Sequence, residues 1–143
     1  MLTGITSFLH LGIIAGGPDW YRFFGAGEQM AQLAERGSSY PVLVTAIIAT
    51  VLAVWALYAL SGAGLIRRLP LLRLVLVLVA LVYLLRGVLG VPIVLLVYDP
   101  YFDELESRMT FLVVSSVVCI YLGLCYAVGA AAVERHRPVL RRA

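Results

Sequence analysis

The chain contains no lysine and no asparagine, and few charges of either sign: 13% of its 143 residues are charged, against about 25% in a soluble domain. Without asparagine there is no N-glycosylation acceptor. With arginine as the only strong base, the composition reads as that of a GC-rich bacterial genome. Polar surface is too scarce to cover a water-soluble globule: 62% of residues are hydrophobic and the mean hydropathy is +0.99. The solvent for much of the chain is therefore lipid, and the length suits one compact domain, residues 1–143. The start, Met1-Leu2-Thr3-Gly4, has neither a basic leader nor a small-residue cleavage site, so the first apolar segment is expected to stay.

Chemical motifs are equally scarce. There is no H-E-x-x-H, no G-x-S-x-G and no carboxylate inside an apolar run. Cys119 and Cys125 are six residues apart in an apolar stretch with no histidine or aspartate beside them, the setting of buried, inert thiols. No metal site and no cofactor is expected. The arginines cluster at helix ends rather than on one face, which speaks for membrane topology and against nucleic acid.

Four apolar stretches are present, residues 2–16, 41–60, 71–97 and 111–133. The first is short, since a span needs about 20 residues. Pro41 suits a first helical turn, and Pro92 lies inside the third stretch, where it can kink or end a helix. The expected fold is an all-α, four-transmembrane-helix bundle. The side carrying Arg67, Arg68, Arg73, Arg135, Arg137, Arg141 and Arg142 is set against one with only Arg22, Arg36 and Arg108 among seven carboxylates: Asp19, Glu28, Glu35, Asp99, Asp103, Glu104 and Glu106. The positive-inside rule then puts both termini in the cytoplasm of a bacterial inner-membrane protein.

Within the first outer loop, residues 18–39, Trp20, Phe23, Phe24, Gly27, Ala31 and Ala34 recur at roughly helical spacing, with Glu28, Gln32 and Glu35 on another face. Asp19 is a candidate cap and Gly37 a candidate stop. The pattern predicts an amphipathic interfacial helix, loosened at Gly25-Ala26-Gly27, with Phe23, Phe24 and Glu28 as candidate lid residues. Gly12 and Gly16 form a G-x-x-x-G, and Gly123, Ala127 and Ala131 repeat the spacing. Such faces pack helices within one bundle or join copies in a homo-oligomer.

Arg86 stands near the middle of the third stretch, where a charge costs about 2.5–3.5 kcal/mol on insertion scales. Either it faces a polar interior or the helix breaks at Pro92 and the side chain snorkels outward. His10, Thr50, Tyr83 and Tyr121 fall at similar depth and form, with Arg86, a candidate ligand-binding layer for an anionic group. Ser115 and Ser116 are read as bonding back to their own helix. The leading functional expectation is a binding or transport module for a small amphiphile or anion in an intrabundle cavity. The alternatives are a non-catalytic accessory or assembly subunit whose Arg86 pairs with a partner, and a lipid-modifying enzyme using His10.

The layout of a first span, an amphipathic outer segment, a second span opened by Pro41, and Ser61-Gly62-Ala63-Gly64 leading into Arg67-Arg68 resembles the small bacterial DoxX-like four-helix membrane proteins. The likeness covers residues 9–73 and implies a compact four-helix bundle. It implies no site residue, because the acidic residue that family often carries in its second span has no counterpart between Val42 and Leu60.

Cysteines introduced at Gln32 and Glu104 are expected to react with an impermeant thiol reagent added outside cells, and one at Arg141 to be protected. Labelling at Arg141 in intact cells overturns the orientation.

Overall fold

A computed structural model describes residues 2–96 and 109–135. The second acidic loop, with Asp99, Asp103, Glu104, Glu106 and Arg108, and the tail arginines Arg137, Arg141 and Arg142 lie outside the described residues. So does Val97, the expected end of the third span. The described residues form helices only: α1 (Leu2–Gly16), α2 (Pro18–Phe23), α3 (Glu28–Glu35), α4 (Tyr40–Gly62), α5 (Leu72–Leu96) and α6 (Met109–Arg135). Three of them, α4, α5 and α6, are long and apolar enough to cross a membrane; α1 is a shorter apolar helix of 15 residues. At 1.5 Å per residue α1 is about 22 Å long, less than the roughly 30 Å hydrocarbon core.

The four longer helices pack in two antiparallel pairs. Ser7 of α1 donates to the Ala49 carbonyl of α4 at 2.7 Å, and Gly4 faces Ala56. In the second pair the backbones of α5 and α6 nearly touch. A Cβ added to Gly87 would lie 2.9 Å from the Ser116 carbonyl oxygen and 3.0 Å from the Ile120 nitrogen, and one on Gly123 would meet Leu84. Gly123 thus packs inside the chain, with Ala127 partly buried against the same core, while Ala131 is exposed. The pairs meet through an aromatic cluster. Trp55 of α4 sits edge-on to Tyr83 of α5 with ring centroids 5.5 Å apart, and Tyr83 lies 5.9 Å from Tyr126 of α6.

Polarity is inverted relative to a water-soluble helix. Inward positions of α1 and α4 include Thr3, Ser7, Thr45 and Ser61, while Ile5, Phe8, Leu43, Ile47 and Leu57 point outward. Hydroxyls inside and branched hydrocarbons outside are the arrangement of helices surrounded by lipid, where packing and hydrogen bonds rather than water exclusion hold helices together.

The first loop departs from the expected single helix. It folds as α2 and α3 at a corner where Gly25 and Gly27 take φ of 70° and 94°, values that disfavour any residue with a Cβ. Gly25 and Gly37 each close a Schellman cap: Ala26 N–H bonds to Tyr21 O and Gly25 N–H to Arg22 O, and the same pair recurs as Ser38 to Leu33 and Gly37 to Ala34. Gly37 is the expected stop, but the residue before α2 is Gly17, with Pro18 at its first position and Asp19 in its first turn rather than at the cap. Tyr21 and Ala31, 1% and 0% exposed, bury the corner against Ile13 of α1. The Gly12/Gly16 face is filled from within the chain: the Trp20 indole occupies the space a Cβ on Gly16 would take and touches the Gly12 position. Pro92 ends nothing, because α5 continues through it to Leu96.

Replacing Gly87 by leucine drives a side chain into the α6 backbone and is expected to destabilise the fold by about 1–3 kcal/mol or more. At Gly129, where a Cβ meets nothing within 4 Å among the described residues, an alanine is expected to be neutral or stabilising. Denaturant titration in mixed micelles measures both; equal effects contradict the α5–α6 contact.

Candidate functional site

The five residues expected to form one polar layer are dispersed. His10 Nδ1 lies 2.8 Å from the Thr6 carbonyl of its own helix, which places the proton on Nδ1 because a carbonyl only accepts. Thr50 is exposed and donates to the Ala46 carbonyl at 2.8 Å. Tyr83 is buried within the aromatic cluster, and its hydroxyl has no hydrogen-bond partner among the described residues. Tyr121 is 56% exposed on the flank of α6. Arg86 is exposed on the flank of α5, and its guanidinium fills the space a Cβ on Gly90 would occupy. No hydrogen bond joins any two of these five among the described residues.

A groove lies elsewhere, at the end of the molecule that carries Arg67, Arg68 and Arg73. It offers about 300 Å³, open on one side, between the start of α1 (Leu2, Thr3), the end of α4 (Ala59, Gly62) and the second half of α6 (Tyr121, Cys125, Gly129). Its inner wall is set by Tyr126, whose hydroxyl donates to the Trp55 carbonyl at 2.9 Å and shares a 3.1 Å hydrogen bond with Thr3. One turn further toward that end a second cavity of about 240 Å³ shares Gly62 and Ala63 and adds Arg68 and Leu72. The loop there is ordered by Ser61, which donates to the Arg67 carbonyl and accepts from Leu69 N–H, both at 3.0 Å. Gly64, at φ 74°, provides the reversal.

The sequence reading missed these parts for a physical reason. Gly129, Ala59 and Ser61 carry no chemical signature; they matter because they are small or because they cap a turn. Only Tyr121 of the expected layer reaches the groove. Phe23, Phe24 and Glu28, the expected lid, sit at the opposite end and do not cover it.

That opposite end has its own organised feature. Arg22 of α2 donates through Nε and Nη2 to the two carboxylate oxygens of Glu28 at 2.8 Å each, and its Nη2 is 2.8 Å from Glu35 Oε1. Asp19 completes the set at 3.6 Å. This two-pronged pairing closes the α2–α3 corner and commits Glu28, which therefore does not pair with Arg86. The Arg22 hydrogen bonds hold the Glu28 carboxyl at about 2, well below its ordinary 4.5, partial burial opposing and Gln32 assisting. They also push the guanidinium further up. Phe23, 67% exposed, stacks edge-on to Phe24 beside Trp20 and forms an apolar tip on the same corner.

Because the Glu28 value is depressed on folding, its contribution to stability is complete above about 4.5 and is lost as pH falls from there through about 2. Trp20 emission is expected to stay constant from pH 7 to 5 and to change below, and Glu28→Gln to remove that transition. A transition unchanged in Glu28→Gln contradicts the clamp.

No protein-family model matches the chain, and no curated protein or solved structure matches it.

Proposed function

We propose that the chain is a four-span protein of the bacterial inner membrane that binds an anionic amphiphile in the groove at its basic end. One observation carries this reading: an apolar groove bounded by Leu2, Ala59, Leu76 and Leu122 runs, past Gly62 and Ala63, into a cavity bordered by Arg68. A hydrocarbon chain fits the first part and a carboxylate or phosphate head group the second, where arginine offers paired donors. The volume is at the lower bound of ligand sites, about 300 Å³.

The orientation supports the same reading. The start of α1, the end of α4 and the start of α5 gather where Arg67, Arg68 and Arg73 lie, so by the positive-inside rule the groove faces the cytoplasmic leaflet. This replaces the intrabundle cavity with Arg86 in its polar layer. Binding is favoured over transport because Trp55, Tyr83 and Tyr126 close the middle of the helix group. The enzyme alternative has little support: His10 is committed to its own helix, and no carboxylate bonds it among the described residues.

Thermal unfolding in phosphatidylcholine nanodiscs, with and without oleate, tests the reading. Ligand at a hundred times its dissociation constant adds about 2.7 kcal/mol to wild type. Gly129→Phe fills the groove from a position with open space in front of it, and is expected to abolish the gain while keeping its own stability. Arg68→Gln is expected to reduce the gain. Equal stabilisation of wild type and Gly129→Phe removes the groove as the site and leaves the accessory-subunit reading ahead.

A further inference from the structure

Arg86 presents a problem that the basic-end groove does not solve. The centre of the described part of α5 lies near residue 84, so the Arg86 Cα is about 3 Å from that point. Its side chain runs forward over Gly90, one further turn, which brings the guanidinium to about 9 Å from the centre and about 6 Å inside the edge of the hydrocarbon. Gly90 makes this path available, since any Cβ there would collide with the guanidinium. Continuous helix through Pro92 removes the break that would have let Arg86 reach water directly. No acidic side chain pairs with it among the described residues.

A second group converges on the same spot. Ser116 of α6 is 4% exposed, and its hydroxyl has no hydrogen-bond partner among the described residues. It was expected to bond back to its own helix, as Ser115 does by donating to the Leu112 carbonyl at 2.9 Å; instead its Oγ lies 3.1 Å from the point a Gly90 Cβ would occupy. An orphaned buried hydroxyl costs about 1–3 kcal/mol, and a charge at this depth costs more. Both deficits lie beside Gly90, Arg86 at the surface and the Ser116 hydroxyl buried beneath it; the guanidinium only donates, and the hydroxyl can donate as well. The complementary ligand is an acceptor with negative charge.

We infer that Arg86, lying across Gly90 with Ser116 beneath it, forms a second binding site, for the oxyanion of a lipid head group drawn down beside the α5–α6 contact. Two guanidinium N–H groups take two oxygens of a phosphate or carboxylate, and the Ser116 hydroxyl donates to one of them. The ligand comes from the bilayer rather than from water, because the α5 positions on the same face, Val82, Leu89 and Ile93, are apolar and exposed. By the proposed orientation the site serves the outer leaflet, opposite the Arg68 groove. It shares no residue with that groove, and it stands if the groove reading fails.

The test uses full-length protein carrying Gly129→Phe, so that the basic-end groove does not contribute. Thermal midpoints are measured in phosphatidylcholine nanodiscs, then with part of the lipid replaced by phosphatidylglycerol, with oleate, or with inorganic phosphate in the buffer. Phosphatidylglycerol or oleate is expected to stabilise the protein; the one giving the larger gain assigns a phosphate or a carboxylate. Arg86→Leu is expected to weaken the apparent affinity at least about tenfold. Gly90→Ala, which keeps the charge but displaces the guanidinium, is expected to do the same, and Ser116→Ala to cost severalfold. Unchanged affinity in both Arg86→Leu and Gly90→Ala overturns the site. A gain reproduced in full by inorganic phosphate overturns the lipid as its source.

Discussion

The near contact of the α5 and α6 backbones at Gly87 and Gly123 is the constraint on which the rest of the arrangement depends. With Gly87 turned into α6, the helical period puts Tyr83 inward and Arg86 on the flank. Tyr83 then meets Trp55 and Tyr126, which join the α5–α6 pair to the α1–α4 pair. Arg86 is left beside Gly90 and Ser116 at the edge of the same interface. A bulkier residue at 87 would separate the helices, open the aromatic cluster and remove the surface on which the guanidinium lies.

Around that interface, polar groups in the apolar part are satisfied locally wherever the chain itself offers an acceptor. Ser7 reaches across to the Ala49 carbonyl, Thr50 and His10 turn back to carbonyls four residues earlier, and Tyr126 finds the Trp55 carbonyl. Backbone carbonyls retain a second lone pair even inside a helix, so they serve as the nearest acceptors in a medium that supplies none. The three described hydroxyls left over, on Tyr21, Tyr83 and Ser116, are the exceptions, and Ser116 alone faces a charged group.

Long apolar runs made the helices legible, and the end of α1, both ends of α4 and the start of α5 fall within two residues of the positions read from composition. The break between α2 and α3 was signalled by Gly25 and Gly27. Its consequence was not, because the Arg22–Glu28–Glu35 clamp depends on folding the two halves against each other. The polar layer failed for the opposite reason: depth along a helix is readable from a sequence, but the face is not when apolar residues surround the helix on every side. The groove was not legible, although Ser61-Gly62-Ala63-Gly64 and Tyr121 had been singled out for other reasons, because small residues such as Gly129 leave the space. The two arginine features differ likewise, Arg22 closing a corner with its own carboxylates and Arg86 lying where the described chain supplies none.

That lipid surrounds the outward faces is the central claim, and spin-label accessibility measures it directly. Nitroxides at Phe8, Ile47, Leu85 and Val117 in nanodiscs are predicted to collide more with oxygen than with a water-soluble nickel chelate. The contrast should be greatest at Ile47 and Leu85 and should reverse at Gln32. Nickel accessibility at Ile47 or Leu85 equal to that at Gln32 would show those faces in water, or open to it, and would contradict the account.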